Sequence, residues 1–247
     1  MRKIVTILCL FLTANFVIGQ SISVSYVQIY AKTDAIVPVI NGGNGPDVTL
    51  PTIGFSYEQF FKHKKYSLTA SYMKFNGCTS IYFERGGWIA GGGIALSKGF
   101  CGGVDIKRFD LGFSYLLTKS NKKFYFKPVI GVGLQLSRTT GWEFGIPGLP
   151  IDGPNYFELE PMSAEPMNTT QIVPSLGFRT GFVFWKRLDI GLGVQGVYAF
   201  KPYQKMYLKY QYKGTPQPMA EYESTGTGLF VTLGIGYRFA RLIKSDK

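Results

Sequence analysis

Residues 228–239 read Gly-Leu-Phe-Val-Thr-Leu-Gly-Ile-Gly-Tyr-Arg-Phe. Every second position is large and apolar: Leu229, Val231, Leu233, Ile235, Tyr237 and Phe239. The alternate positions, Phe230, Thr232, Gly234, Gly236 and Arg238, are small or polar apart from Phe230. Successive side chains of a strand point to opposite faces, so this is a strand with one apolar face. The same period recurs upstream. In 187–200, Leu188, Ile190, Leu192, Val194, Tyr198 and Phe200 oppose Arg187, Asp189, Gly191, Gly193 and Gln195. In 123–137, Phe124, Phe126, Ile130, Val132, Leu134 and Leu136 oppose Tyr125, Lys127, Gly131, Gly133, Gln135 and Ser137. Segments 170–184, 105–118, 65–75 and 50–61 alternate less cleanly, and Ile22–Tyr30 supplies one more strand.

What the apolar faces meet follows from what lies opposite them. A soluble barrel would turn them inward and leave Gly, Ser, Thr and Gln as its surface. Glycine weakens a solvent-facing strand and has no use there. Inside a narrow barrel it makes room for long side chains, while the apolar face meets lipid. Composition agrees: charged residues make up 17% of the 247, below the roughly 25% of ordinary globular proteins. The 31 glycines follow no Gly-X-Y repeat, which excludes collagen, and the 16% aromatic content opposes disorder. This balance disfavours a soluble helical enzyme.

Connection lengths give an independent test. Short links fall at His63–Lys64, Ser120–Lys122 and Trp185–Lys186, and long ones at 77–104, 140–169 and 202–223. Transmembrane barrels alternate tight periplasmic turns with long extracellular loops in this way. With 224–240 running down to the periplasm, the alternation places Ile22–Tyr30 as the first upward strand and Ala31–Thr49 as the first outer loop. The count is eight, and 204–213 becomes part of the last outer loop. The expected fold is an all-β, eight-stranded antiparallel transmembrane barrel over 20–240, followed by a short polar tail at 241–247.

The beginning of the chain bears on the compartment. Arg2 and Lys3 precede an apolar stretch from Ile4 to Phe16, and Val17 and Gly19 are the small residues of a cleavage site before Gln20. Residues 1–19 are therefore expected to be a secretory signal peptide. Beyond Gln20 no stretch approaches the roughly 18 apolar residues of a membrane helix. Cys9 leaves with the signal, and the net charge falls from +12 by the two charges of Arg2 and Lys3 to +10. Cys78 and Cys101 remain, an even number in an exported chain, and are expected to form a disulfide. Closing that loop would be worth roughly 3–4 kcal/mol on the chain-entropy model.

Over about 20–240 the chain resembles the small outer-membrane β-barrels of Gram-negative bacteria, the eight-stranded group that includes the OmpX-like proteins. Gly228–Phe239 carries the resemblance most specifically, with alternating apolar residues ending in an aromatic. The resemblance implies export, recognition of that last strand by the barrel-assembly machinery, and residence in the cell outer membrane. The family pattern usually stops at the terminal aromatic, whereas Ala240–Lys247 follows here.

Some barrels of this size act on lipid A with a serine and a histidine at the outer rim, because a serine hydroxyl needs an adjacent base to become a nucleophile. The one histidine, His63, lies between lysines in a periplasmic turn, so no enzymatic activity is expected. Gly86–Gly93 lacks the Gly-Lys-Ser/Thr of a phosphate loop and reads as an outer hairpin. Asn168-Thr-Thr170 is a chance match to a glycosylation acceptor. No cofactor, metal or nucleic-acid partner is expected.

Parity turns Glu58, Asp110, Lys127, Arg179, Asp189 and Arg238 inward. Unpaired charges in a narrow lumen are costly, so a network is expected, with Asp189 close enough to Arg238 to pair directly or through one intermediate. In the last outer loop Lys201, Lys205, Lys209 and Lys213 interleave with Tyr203, Tyr207, Tyr210 and Tyr212, a ribbon suited to lipopolysaccharide phosphates. The 140–169 loop is acidic, with Glu143, Asp152, Glu158, Glu160 and Glu165. It lacks the spacing of a calcium loop, and attraction between the two loops is the simpler reading. The +10 is expected to spread over lumen, turns and this ribbon. The expected role is structural or adhesive, carried by the outer loops. The alternatives are a narrow channel or transport accessory, or the membrane anchor of a larger envelope complex.

Overall fold

The structure, a computed structural model, describes residues 19–239 apart from 39–41, 45, 49–50, 62–64, 85–94, 119–122, 140–149, 152–156 and 160–162. The expected signal segment, save Gly19, and the tail at 241–247 lie outside the described residues. Eight strands form the wall: β1 (Gly19–Val37), β2 (Thr52–Phe61), β3 (Tyr66–Glu84), β4 (Ala95–Tyr115), β5 (Phe124–Thr139), β6 (Thr169–Phe184), β7 (Leu188–Val197) and β8 (Ala220–Phe239). Each pairs antiparallel with the next, and β1 closes on β8 from Gln20↔Phe239 up to Val37↔Glu221. Closure removes the open edges that a flat sheet would leave.

Register partners lead from Ser21 through Glu58, Thr69, Gly112, Gly131, Ser175, Val197 and Gly228 back to β1 at Ala31, ten residues above Ser21. That stagger on eight strands tilts them by about 40–45° and leaves an interior only wide enough for side chains.

The apolar faces point outward. Leu111, Ile172 and Leu176 are 64%, 65% and 68% exposed, and they belong to a belt that includes Val24, Ile53, Ile130, Leu192, Leu233 and Ile235. A belt of this extent belongs in lipid. Aromatic rings edge it. Tyr66, Tyr115, Phe124, Phe182 and Tyr237 lie towards the short turns, and Tyr30, Phe109, Tyr198 and Phe200 towards the long loops, where amphipathic or flat rings sit at headgroup level. No helix among the described residues is long and apolar enough to cross a membrane.

The glycines opposite the belt do make room. A Cβ on Gly133 would lie 2.3 Å from the Asp110 carboxylate, and one on Gly191 would lie 2.6 Å from the Tyr125 hydroxyl.

The outer connections differ from expectation. Much of 77–104 is strand rather than loop, since β3 runs on to Glu84 and β4 begins at Ala95. β1 likewise continues to Val37, inside the expected first loop. Beyond the bilayer there is no lipid-facing side to impose alternation, yet the backbone ladder still satisfies its hydrogen bonds and continues. The segment 204–213 is divided. Gln204–Leu208 pairs with Ala220–Ser224 of β8 and extends the wall above β7, while Tyr210–Tyr212 joins a second small sheet with Pro150–Ile151, Phe157–Leu159 and Thr215–Pro216. The count of eight membrane-crossing strands stands.

At the opposite end, Trp185 and Lys186 have φ of 45° and 61° between β6 and β7. Two consecutive left-handed residues match the right-handed twist of a tight hairpin, although neither is glycine. The Arg187 amide closes the turn on the Phe184 carbonyl at 3.0 Å. Trp185 stands 86% exposed beside the aromatic edge of the belt, as a membrane-interface anchor does.

Candidate functional site in the lumen and at the outer rim

The lumen is filled in three layers, and they differ in chemistry. Nearest the short turns lies an ionic floor. Glu58, 2% exposed, accepts from Lys127 Nζ at 2.5 Å and from Ser67 Oγ at 2.5 Å, while Arg179 approaches its second oxygen at 3.7 Å. Asp189 is fully buried. Arg238 donates to its Oδ2 through Nε at 3.0 Å and Nη2 at 2.7 Å, and the Tyr125 hydroxyl donates to its Oδ1 at 2.7 Å. The ring faces of Phe60 and Tyr125 lie within about 5 Å of both Lys127 and Arg238 and join the two halves of the floor.

Above the floor is a chamber of about 120 Å³ lined by Ser23, Ser25, Ser56, Thr69, Ser71 and Thr232, with Arg179 and Asp110 at its edges. Asp110 does not join the floor. Its Oδ1 accepts from Arg108 Nε at 2.8 Å and Nη2 at 2.6 Å, and the Arg108 guanidinium lies 4.7 Å from the Phe230 ring.

The outer layer is apolar, in contrast to the Gly, Ser, Thr and Gln of the lumen-facing positions below it. Val27, Ile29, Phe75, Val104, Ile106, Val173, Val197, Tyr203 and Phe230 form one buried apolar cluster. Tyr203 reaches it because the chain jogs after β7. The freed amides of Phe200 and Lys201 donate to Gln171 Oε1 at 2.8 and 2.9 Å, and the Ala199 amide donates to Thr227 Oγ1 at 2.9 Å. The lumen is thus occupied by charge at one end and by hydrocarbon at the other.

Of the six inward charges read from parity, five meet in the floor and Asp110 stands apart. Tyr125 joins the floor and Arg108 pairs with Asp110, and neither is among the six. Arg108 shares the parity of Asp110, and Tyr125 that of Lys127, so the signal was in the register and needed only to be applied to every polar residue on that face.

At the outer rim the acidic and basic loops are stitched together by backbone. Ser163–Pro166 pairs with Gln204–Leu208, setting Glu165 opposite Lys205, and Phe157–Leu159 pairs with Tyr210–Tyr212. Desolvation, and after it the hydrogen bond that the Tyr207 hydroxyl donates to Glu165 at 3.2 Å, raises the Tyr207 pKa above the usual value. Lys205 forms ion pairs with Glu223 and, at 3.4 Å, with Glu221. The hydrogen bond to Glu223 is the main reason its pKa is raised to about 12. Lys201, Lys209 and Lys213 are exposed, with Lys213 Nζ over the Tyr212 ring at 5.2 Å.

Cys78 and Cys101 are register partners across β3 and β4, while their side chains, His63, and the side chains of Glu143, Asp152, Glu158 and Glu160 lie outside the described residues. Among the described residues no group of three or more His, Cys, Asp or Glu could hold a metal ion.

No family model matches the chain, and no curated protein sequence matches it. Solved structures do match. The outer membrane protein OprG from Pseudomonas aeruginosa is 12% identical at a TM-score of 0.48, over 90% of this chain and 97% of that one. Ail of Yersinia pestis, an attachment invasion locus protein, is 15% identical at 0.38, over 90% and 99%. The outer membrane protease OmpT from Escherichia coli is 11% identical at 0.42, over 90% and 97%.

Proposed function

We propose that this chain is an outer-membrane barrel whose activity is surface binding or adhesion, carried by the strands and loops beyond the membrane, without catalysis. One observation carries this reading. The lumen holds an ionic floor at one end and an apolar cluster at the other, while the outer segments are knitted by β-ladders into a platform where a partner would dock. Loops held by backbone pairing lose less entropy on binding than free ones. Lys201, Lys209 and Lys213 are the residues for lipopolysaccharide phosphates, since the charge of Lys205 is already engaged by Glu223.

Two measurements test the proposal. Single-channel recording of the refolded protein in planar bilayers is expected to give no steps above background, and reproducible steps would return the channel reading. Replacing Lys201, Lys209 and Lys213 together with Gln is expected to weaken lipopolysaccharide binding, and an unchanged affinity would remove the basic ribbon from the account.

A further inference from the structure

The positive charge of this chain is not spread as expected. On the outer side of the belt the mature sequence has ten Lys or Arg against eleven Asp or Glu, and in the lumen four against three. The three short connections and their edges, 62–65, 116–123 and 185–187, hold eight Lys or Arg and no carboxylate. Of the net +10 over 20–247, eight charges therefore come from these connections and two from 241–247. On the outer side Lys32, Lys74 and Lys205 are paired with Asp34, Asp105 and Glu223, while Lys107, Arg138, Lys201, Lys209 and Lys213 are exposed.

At the turn end Lys65, Lys123, Lys186 and Arg187 are exposed, and no ion pair joins any of them among the described residues. They follow one rim. The Lys65 carbonyl accepts from the Leu116 amide at 2.7 Å, the Lys123 carbonyl from Val183 at 2.8 Å, and the Arg187 carbonyl from Arg238 at 2.7 Å. Arg187 Nη1 also donates to the Tyr237 hydroxyl at 2.8 Å, which holds the guanidinium at the aromatic edge of the belt beside Trp185. Four cations at headgroup depth, with no carboxylate paired to them among the described residues, match the phosphates of phospholipids.

We propose that the short-turn rim is a binding collar for anionic phospholipid headgroups of the periplasmic leaflet, with Lys65, Lys123, Lys186 and Arg187 as phosphate contacts. Each engaged cation near a charged bilayer surface is worth a roughly fivefold preference for anionic over neutral lipid. The collar then sets the depth of the barrel from the inner side, opposite the outer face proposed above for partner binding.

Trp185 reports on this collar directly. With Trp88→Phe and Trp142→Phe it is the only indole, and the full-length protein can be reconstituted in phosphatidylcholine vesicles doped with brominated phosphatidylglycerol or brominated phosphatidylcholine. Quenching of Trp185 by the anionic lipid is expected to exceed that by the neutral one severalfold. The preference should collapse in about 0.5 M salt, where the screening length falls to roughly 4 Å. It should also collapse in the Lys65→Gln, Lys123→Gln, Lys186→Gln, Arg187→Gln variant, whose heat-modifiable migration verifies the fold. It should survive millimolar inorganic phosphate, which separates lipid-borne from free phosphate. Equal quenching by the two lipids, or a preference unchanged in the fourfold variant, would overturn the proposal. Absent lipid preference together with retention on soluble murein fragments would overturn it too, in favour of murein carboxylates.

Discussion

Glu58→Gln keeps the shape of the floor and removes one charge, which makes it the sharpest probe of the lumen. In the native protein its carboxylate faces Lys127 at 2.5 Å and Arg179 at 3.7 Å, and both Glu58 and Lys127 are almost fully buried. At an effective dielectric of about 20 the Lys127 contact alone corresponds to an attraction of roughly 6–7 kcal/mol before desolvation is subtracted. Most of that attraction offsets the cost of burying the two ions. Breaking a buried pair by removing one partner typically costs about 3–5 kcal/mol, because the other charge is left uncompensated. Glu58→Gln is therefore expected to destabilise the barrel by about 3–5 kcal/mol in urea unfolding from lipid vesicles. Adding Lys127→Met, which removes the stranded cation and retains its bulk, should recover at least about half of the loss, as a double-mutant cycle would register. A Glu58→Gln effect below about 1 kcal/mol, or a double variant less stable than the single one, would refute the account of the floor as a charge-compensated plug.

Three further outcomes follow from the geometry. A Cβ at Gly228 would lie 2.2 Å from the Tyr30 carbonyl oxygen across the β1–β8 seam, so Gly228→Val should cost about 2 kcal/mol or more and lower the temperature of heat-modifiable migration; an unchanged temperature would contradict the seam. Lys186 holds φ at 61° where glycine has no Cβ penalty, so Lys186→Gly should be neutral or stabilising by up to about 1 kcal/mol in the same unfolding assay, against the usual loss from an added glycine. Cys78 and Cys101 face each other in the β3–β4 register, so the protein recovered from the outer membrane should resist thiol alkylation until reduced, and labelling of both thiols without reductant would exclude the bridge.

The membrane part of this fold was legible because lipid and lumen impose opposite demands on alternate residues. Leu229, Leu233 and Ile235 against Thr232, Gly234 and Arg238 record that demand in β8, and the outward exposure of the first three is its result. Where the demand ends, the signal ends. Nothing in 77–104 alternates for lipid, so the pairing of Cys78–Glu84 with Ala95–Cys101 left no such signal, whereas 204–213 has the look of a strand and only the parity of the count assigns it to the loop. The apolar outer layer of the lumen was hidden for a related reason. Val27, Ile29, Ile106 and Val173 are as hydrophobic as their lipid-facing neighbours, and period two marks which residues share a face without naming the solvent of each face. The floor was more accessible, since a buried charge has few options beyond an opposite charge. The partner of Asp110 needed only the residue two positions earlier, Arg108.

The β1–β8 seam has a topological consequence. Gln20 lies directly opposite Phe239, so the two ends of the wall meet at the same rim, and the ladder that shuts the barrel is the one that joins the most distant parts of the sequence. Every other adjacent pair can zip as a hairpin, whereas this one must wait until the sheet has curled fully round. A circular permutant that links Phe239 to Gln20 through a short turn and opens the chain within 85–94 would keep every ladder among the described residues and relocate the last closure. With loop-closure entropy growing as the logarithm of length, making this seam local would remove about 3 kcal/mol from its closing cost. The permutant would then have the same walls but a different last event, and its insertion into vesicles would show whether curling or sealing sets the pace at which this barrel forms.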